Sequence, residues 1–344
     1  MDPHAPEDRP ATRMPTMRDV AQRAGVSRQL VSLVLRGGPG PSLESRNRVL
    51  AAAAELGFRP NASARLLRQS RTRLIGMMFT ALNSFEVRVA ERLLERAADI
   101  GFGVALGPIT DRRTTEIVIR ELLEQRVEAL ACFNPDPGSP ALRQALGLMP
   151  VVWLGERSAE PRADVVRTDD DAGLAILVDH LVALGHRDIA YAGGLGGTVG
   201  PDRAATYRAA MTSRGLADRI DQVLVGFGEE DGATAARVLM ARVRLPTAVI
   251  GCSDHCGAGL VATFARAGIS VPGTVSVTGY DDSDIATLSY NDLTAIRQDV
   301  DLTVDATLDG IQRRLSNPAS SPREVATQAT LSIRSSTARA RTNA

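Results

Sequence analysis

The chain has 344 residues, of which 44% are hydrophobic and 23% are charged, as expected for a globular protein of two or three structural units. It carries 40 basic and 40 acidic residues, and all of the basic ones are arginine. The sequence has no apolar run of about 18 residues and begins with a polar, proline-rich stretch, so we expect no membrane span, no secretion signal and a cytoplasmic protein. Cys132, Cys252, Cys256 and His255 make neither a disulfide framework nor a zinc site, so we expect no metal and no cofactor.

The balanced total hides an asymmetry along the chain. Residues 1–73 contain 13 arginines and 6 acidic residues, whereas residues 74–344 contain 27 arginines and 34 acidic residues. The first segment therefore has a formal charge of +7 and the second of −7. A basic head on an acidic body predicts an anionic partner for the head alone. Residues 1–15, polar and rich in proline, are predicted to be a disordered tail.

Three short helices are predicted in the basic segment. Thr16 is placed to cap the first helix, with Asp19 as its capping-box partner, and Ser27 and Ser42 are placed to cap the second and third. A tight turn between the first two helices is typical of a helix-turn-helix unit, which we predict over residues 16–58. The third helix is predicted to turn four apolar side chains inward, namely Val49, Leu50, Ala53 and Leu56.

The second helix of such a unit enters the major groove of DNA and offers its N-terminal side chains to base edges. Here these side chains are Ser27, Arg28, Gln29 and Ser32, and arginine suits guanine as glutamine suits adenine. The alternative is a solvated helix face that happens to be basic, but the charge asymmetry, the turn spacing and the cap favour DNA. Four further arginines could neutralise phosphates, namely Arg18, Arg23, Arg46 and Arg48.

After residue 73, apolar strand-like runs alternate with helical runs. Strands are predicted at 74–79, 103–107, 128–133, 150–155, 188–194, 222–226, 248–253 and 276–282, and helices near 84–100, 112–125, 170–184, 202–214, 230–242 and 256–267. This alternation predicts parallel sheets covered by helices on both faces, an α/β fold. About ten strands exceed one comfortable sheet, so two lobes are expected.

Residues 16–68, "TMRDVAQRAGVSRQLVSLVLRGGPGPSLESRNRVLAAAAELGFRPNASARLLR", resemble the DNA-binding head of the lactose-repressor (LacI/GalR) family of bacterial transcription regulators. The correspondence is nearly ungapped. One departure is Leu33, where the family commonly has an arginine; a leucine cannot donate to guanine, but it could touch a thymine methyl group or serve packing. The resemblance implies DNA contacts from Thr16, Arg18, Ser27, Arg28, Gln29, Leu30, Ser32, Leu33, Asn61, Ala64, Arg65, Leu67 and Arg68.

The resemblance also assigns a hinge to residues 59–71. In the family this segment folds into a short helix on DNA, and the two hinge helices of a dimer lie in the minor groove, where an apolar side chain kinks the duplex. Leu67 falls on that wedge position, Ala64 lets the helices approach each other, and Arg65 and Arg68 would lie beside phosphates. The alternative is that Leu67 packs on the body as an ordinary linker residue.

Residues 72–333 are similar to the family's regulatory domain, which has the type I fold of periplasmic sugar-binding proteins. The motifs that carry this resemblance are "LGHRDIAYAGG" (184–194), "PTAVIGCSD" (246–254) and "VPGTVSVTGYDD" (271–282). By analogy lobe 1 spans about 72–168 and 298–330, lobe 2 spans about 169–296, and residues 334–344 form a C-terminal tail.

Ligands in such folds bind at the C-terminal ends of strands, so the resemblance implies a ligand site between the lobes. Arg203 matches the family's ligand-clamping arginine, although Thr206 replaces a glycine of that motif, and Asp281 matches its pocket aspartate. A carboxylate, a guanidinium and aromatic faces suit a polyhydroxylated ligand. Two alternatives are that Asp254 caps the following helix and that Phe133 belongs to the core. The candidate ligand-binding residues are Asn83, Phe85, Phe133, Arg203, Phe227, Ser253, Asp254 and Asp281.

Two other classes of protein are less consistent with the sequence. The stretch "AGGLGGTVG" (192–200) resembles a dinucleotide fingerprint, but Val199 stands where the third glycine belongs, and no other catalytic motif appears, so we do not expect an enzyme. A sugar-binding protein without a DNA role would need a secretion signal and no residues 16–68. We therefore predict a transcriptional repressor whose homodimer binds a palindromic double-stranded operator, away from membranes, under control of a small ligand, a sugar or sugar derivative.

Overall fold

The computed structural model describes residues 14–58, 71–158 and 160–341. The chain divides into two compact units, Met1–Thr72 and Arg73–Ala344. Residues 1–13 of the predicted tail lie outside the described residues. So do the five predicted DNA contacts of the hinge, namely Asn61, Ala64, Arg65, Leu67 and Arg68. Within the described parts, no helix has the length and the apolar character that crossing a bilayer requires.

The N-terminal unit contains three helices, α1 (Met17–Ala24), α2 (Arg28–Leu35) and α3 (Leu43–Glu55). Each begins after its predicted cap: Thr16 forms the capping box with Asp19, and the Ser27 and Ser42 hydroxyls each accept a backbone N–H three residues on. Leu50 was predicted to face inward but is 48% exposed, because Val49 beside it takes the inward position. The small core consists of Val20, Ala21, Ala24, Val31, Val34, Val49, Ala52 and Ala53.

The first lobe of the second unit is a six-stranded parallel sheet with helices on both faces. Its strands are β1 (Leu74–Thr80), β2 (Gly103–Ile109), β3 (Ala129–Phe133), β4 (Val151–Leu154), β5 (Asp164–Thr168) and β11 (Glu324–Thr327), in the order β11-β5-β4-β3-β1-β2. Its helices are α4 (Ser84–Asp99), α5 (Thr115–Glu124), α6 (Pro140–Leu148) and α12 (Val300–Ser316). Two buried apolar clusters, one on each face, form its core.

The second lobe repeats this architecture, and only its edge strand β12 runs antiparallel. Its strands are β6 (Ile189–Ala192), β7 (Asp221–Val223), β8 (Ala248–Gly251), β9 (Ser276–Asp281), β10 (Thr294–Gln298) and β12 (Ala329–Ser332), in the order β12-β10-β9-β8-β6-β7. Its helices are α7 (Asp170–Ala183), α8 (Val199–Ser213), α9 (Glu229–Met240), α10 (Asp254–Arg266) and α11 (Asp284–Thr287).

The chain crosses between the lobes three times, between β5 and α7, between β10 and α12, and between β11 and β12. Two of these crossovers are tied together, because the Thr168 hydroxyl donates to the Gln298 side-chain oxygen at 2.6 Å. The third crossover lies at residue 328, so lobe 1 ends slightly before the predicted 330. All three lie on the β5, β10, β11 and β12 side of the sheets, and the edge strands β2 and β7 are farthest from them.

Residues 334–341 were predicted to be part of a C-terminal tail, but in the structure they pack on lobe 2. This segment lies along lobe 2: Val277 N–H donates to the Ser336 carbonyl at 2.9 Å, and Ala340 N–H donates to the Leu184 carbonyl at 2.8 Å. His186 Nε2 lies 3.0 Å from the Ala338 carbonyl oxygen. These main-chain bonds make the described part of the segment an integral layer of lobe 2.

Candidate functional site

The N-terminal end of α2 presents three of the four predicted base-reading residues to solvent, including its cap Ser27. Arg28 and Gln29 are exposed, whereas Ser32 is half-buried. The Ser27 oxygen accepts from Leu30 N–H at 3.2 Å, which leaves its own O–H free to donate. A long cationic and a long amide side chain therefore project side by side from the first turn of α2, as recognition of a base pair edge requires.

Other predicted DNA contacts are partly engaged within the head. The Thr16 hydroxyl donates to Asp19 at 2.7 Å as part of the cap. Arg23 forms an exposed ion pair with Glu55 at 2.7 Å, and Arg46 donates to the Gly38 carbonyl at 3.0 Å, so each already has a partner within the head. Two arginines of the predicted set are exposed and form no ion pair with described residues, namely Arg18 and Arg48.

The departure at Leu33 has a structural explanation. Its side chain lies against Gly38 so closely that a Cβ at that position would overlap it. Leu30 and Leu33 are both half-buried. Leu33 therefore packs the turn after α2, which favours the packing alternative over contact with a thymine methyl group.

In lobe 2, Arg203 of α8 is held among polar partners below the ends of the strands. It is 5% exposed, its Nε donates to Asp170 Oδ1 at 3.1 Å, and its Nη1 donates to the Cys252 carbonyl at 3.0 Å. The guanidinium lies 3.8 Å from the centroid of the Tyr280 ring, whose hydroxyl also donates to Asp170. Only Nη2 has no hydrogen-bond partner among the described residues, so one edge of the guanidinium remains available.

Asp281 ends β9, and its carboxyl group lies close to this arginine. It is buried, and its Oδ1 accepts from the Gln298 amide at 2.6 Å. Burial raises the pKa of Asp281, although Arg203 and the Gln298 hydrogen bond act in the opposite direction. The structure thus places the guanidinium of Arg203 and the carboxyl group of Asp281 in one buried region of lobe 2, and their contact with a ligand stays a prediction.

Three further candidates lie beside Asp281 on lobe 2. Ser253 caps α10 by accepting from Cys256 N–H at 3.0 Å, and it donates to the Phe227 carbonyl at 2.5 Å, so its single hydroxyl donor is already used. Phe227 itself is half-buried. The cap of α10 is therefore Ser253 rather than Asp254.

Asp254 is completely buried and bonds to the loop after β9. Its Oδ2 accepts from the backbone N–H and the hydroxyl of Ser283 at 2.6 and 2.8 Å, while its Oδ1 has no partner in the described structure. Burial, followed by the nearby charge of Asp281, raises the pKa of Asp254 well above its usual range. Its contacts hold the Asp281 loop against α10, which is a structural role.

The lobe 1 candidates are engaged in folding contacts. Asn83 caps α4 by accepting from Glu86 N–H at 3.1 Å. Phe85 and Phe133 meet edge to face with ring centroids 5.9 Å apart, and both are buried in the core. The structure therefore agrees with the alternative that Phe133 belongs to the core, and Phe85 is a core residue as well.

Sequence reasoning missed Glu86, which follows Phe85 in the first turn of α4. It is 3% exposed, and its carboxyl accepts from Thr80 N–H at 2.6 Å. Burial is the main cause that raises the pKa of Glu86 to about 7, with smaller contributions from Asp281 and Glu156. The available signal was an acidic residue three positions after the helix cap Asn83, in the first turn that follows a buried strand.

The two lobes contact each other at the ends of these strands. Ser84 Oγ of α4 lies 2.8 Å from His255 Nε2 of α10, and His255 Nδ1 lies 2.7 Å from Glu229 of α9. On the opposite side, Arg157 of lobe 1 pairs with Asp171 of lobe 2 at 2.6 Å. A narrow void beside this pair is lined by both lobes, through Gly155, Glu156, Arg157, Arg167, Asp170, Val199, Asp202 and Thr206.

Comparison with known proteins identifies both units. Residues 16–61 match the family model of bacterial regulatory proteins, lacI family, and residues 178–337 match the periplasmic binding protein-like domain. A PurR transcriptional repressor of Vibrio campbellii (strain ATCC BAA-1116) is 32% identical over 294 residues, which cover 83% of this chain and 87% of that protein. The chain belongs to the lacI family of bacterial regulatory proteins.

Further relatives of this lacI-family regulator agree over nearly its whole length. The ribose operon repressor of Escherichia coli (strain K12) is 29% identical over 311 residues, which cover 89% of this chain and 94% of that one. A crystal structure of the lac repressor dimer bound to operator and an anti-inducer superposes with a TM-score of 0.80 at 27% identity, covering 95% of this chain and 100% of that one. The predicted family and fold class are confirmed, and the protein is a DNA-binding transcriptional regulator.

Proposed function

We propose that this lacI-family regulator is a repressor whose operator affinity is set by a small polyhydroxylated ligand, a sugar or a sugar derivative, held between its two lobes. The observation that supports the ligand site is a buried polar cluster at the strand ends of lobe 2. In this cluster Arg203 pairs with Asp170 and keeps Nη2 without a partner among the described residues, and Asp281 feels its charge. The relatives named as PurR and ribose operon repressors support the assignment to repression.

The ligand chemistry follows from the groups that remain available. Arg203 Nη2 can donate to a hydroxyl or ring oxygen, and the Asp281 carboxyl can accept from hydroxyl groups. Ser253 and Asp254 hold the lobe 2 side of the site through their own contacts, and Phe227 remains a candidate contact there. On lobe 1, Asn83 caps α4, while Phe85 and Phe133 belong to the core below it. Because the ligand would touch both lobes, its binding favours one angle between them over another.

On DNA, we assign α2 to the major groove. Arg28 would pair with guanine and Gln29 with adenine, while Arg18 and Arg48 would contact phosphates. The Ser27 hydroxyl is also free to donate.

For the hinge, the resemblance of residues 59–71 supports a minor-groove role. Leu67 would wedge between base steps, Ala64 would allow the two hinge helices to approach, and Arg65, Arg68 and Asn61 would contact the backbone. Two copies related by a twofold axis would then read a palindrome, and the similar lac repressor binds its operator as a dimer.

The test is selection of DNA by the purified full chain. Several rounds of selection from a random duplex library should recover a palindrome, and the double variant R28A/Q29A should lose the preference at defined base pairs. Gln22→Ala, an exposed change on α1, is the matched control. A thermal-shift screen of sugars, nucleosides and sugar acids should then find a ligand that changes the affinity for the selected duplex. Recovery of no preferred sequence by the parent chain would contradict the proposal.

A further inference from the structure

The turn that follows β9 has an unusual backbone. Asp281 has φ +114° and Asp282 has φ +50°, so two consecutive residues with side chains lie in the left-handed region that favours glycine. Such conformations persist only where surrounding contacts determine them. What holds this turn therefore decides where the Asp281 carboxyl points.

Part of the support comes from lobe 2 itself. Gln298 donates to the Asp281 carboxyl at 2.6 Å, and Asp282 accepts from Arg334 at 2.6 Å and from the Ser332 hydroxyl at 2.8 Å. These bonds fix the two side chains. They do not engage the two main-chain carbonyl groups, whose direction defines the turn.

The carbonyl groups are bound from the other lobe. Arg88 of α4 donates from Nη2 to the Asp281 carbonyl oxygen at 2.9 Å and from Nη1 to the Asp282 carbonyl oxygen at 3.1 Å. A planar guanidinium forms both bonds only when the two oxygens face the same side at the correct separation. Ser84, one turn earlier on the same helix, contacts His255 of lobe 2, so this face of α4 meets lobe 2 at two points.

Arg88 has no competing task in the described structure. It forms no ion pair with any described carboxylate, and its Nε is buried without a hydrogen-bond partner. Its charge is offset by the two carbonyl dipoles and, through space, by the Asp281 carboxyl. A half-buried arginine directed entirely at two carbonyl oxygens is suited to positioning a turn rather than to neutralising a charge.

We propose that Arg88 is a positioning residue for the ligand site: it holds the Asp281–Asp282 turn in its left-handed conformation, and it can do so only while the lobes are closed. Opening of the lobes breaks both bonds at once, and the turn then relaxes. A ligand bound by Asp281 consequently favours closure, and closure prepares Asp281 for the ligand. The proposal rests on the proposed function to the extent that Asp281 is a ligand contact there.

The experiment uses the ligand-free full chain with the substitution Arg88→Met, which keeps the aliphatic stem and removes the donors. The matched control is Arg92→Met, one turn later on α4, because Arg92 pairs with Glu95 and Asp301, both within lobe 1. Arg88→Lys is the conservative variant, which retains the charge and a donor.

The opening of the lobes is measured by the distance between two spin labels. They are attached at Arg112→Cys and Leu224→Cys, exposed positions after the edge strands β2 and β7, where motion about the crossovers is largest. The three native cysteines are buried and do not compete for the label. Labelled chains are diluted with unlabelled chains so that distances within one subunit dominate.

The state of the turn is measured by hydrogen exchange at the Ser283 amide, which donates to Asp254 at 2.6 Å. Arg88→Met should lengthen and broaden the spin–spin distance and speed this exchange by about 10-fold or more, as loss of two bonds to a charged donor implies. Arg92→Met should resemble the parent, and Arg88→Lys should lie between.

The proposal is overturned if Arg88→Met has the same spin–spin distance and the same Ser283 exchange rate as the parent. It is also overturned if Arg92→Met changes both quantities as much as Arg88→Met does. If Arg88→Met does not fold, Arg88→Lys against the parent decides in the same way. Neither readout uses DNA or ligand, so failure of the proposed function in the DNA selection is distinguishable from failure here.

Discussion

The ion pair of Arg203 with Asp170 makes a quantitative prediction. In Arg203→Met the stem and volume are retained, but the Asp170 carboxyl loses its cationic partner while its side chain stays only 18% exposed. Removing one partner of a buried pair costs about 3–5 kcal/mol. Asp170 keeps the Tyr280 hydroxyl as a donor, so we expect the lower end, about 3 kcal/mol.

A second substitution shows whether this loss comes from the stranded carboxylate. R203M/D170N removes the uncompensated charge, so it should cost only about 1–2 kcal/mol relative to the parent. The two substitutions should therefore couple by at least about 1 kcal/mol in a double-mutant cycle. Arg208→Met, on the exposed face of the same helix, is the control and should change stability by less than about 0.5 kcal/mol.

Urea denaturation monitored by circular dichroism measures these free energies of unfolding for five chains: the parent, R203M, D170N, R203M/D170N and R208M. The same Arg203→Met protein should lose its response to the ligand, yet bind operator normally without ligand, because the head is a separate unit. If R203M/D170N loses as much free energy of unfolding as the two single variants lose together, Asp170 is not the carboxylate that R203M leaves without a partner. A normal ligand response would remove Arg203 from the site.

Three further predictions follow from other parts of the chain. Val31→Ala, in the small core of the head, should destabilise that unit by about 2 kcal/mol and weaken DNA binding without moving the thermal transition of residues 73–344; a single shared shift in calorimetry would contradict it. The pKa of Glu86 is about 7 when folded against 4.5 for an ordinary glutamate, so its contribution to stability is complete below pH 4.5 and is lost as pH rises through 7. As pH rises from 4.5 to 7.5, the free energy of unfolding of Glu86→Gln should therefore increase relative to that of the parent by on the order of 2–3 kcal/mol. If the free energies of unfolding of the two chains change in parallel with pH, the raised pKa is contradicted. Leu67→Ala should weaken binding to the selected operator by about 10-fold or more and leave ligand affinity unchanged, and equal operator affinity would argue against the wedge.

The parts of the fold that depend on neighbouring residues were predictable. The caps Thr16, Ser27 and Ser42 each act within three residues, so the sequence placed α1, α2 and α3 closely. Continuous apolar runs such as 74–79 located β1 for the same reason. Strand β5, "DVVRT", was not predicted, because two charged residues interrupt its short apolar run.

The contacts that shape the ligand site were less accessible, because they join distant parts of the chain. Motif spacing located Arg203 and Asp281, which the structure brings together. The bonds from Arg88 to the Asp281 turn span more than 190 residues and cross between lobes, and no local pattern signals them. Likewise, no local pattern indicates that Arg46 donates to the Gly38 carbonyl rather than facing solvent.

The most direct test of the account is fluorescence anisotropy of the parent chain with the selected palindrome and with a scrambled duplex of equal length, at physiological salt. We predict a preference of about 1,000-fold or more for the palindrome, reduced by R28A/Q29A and shifted by the ligand found in the thermal screen. Equal affinity for the two duplexes, with and without that ligand, would contradict the account.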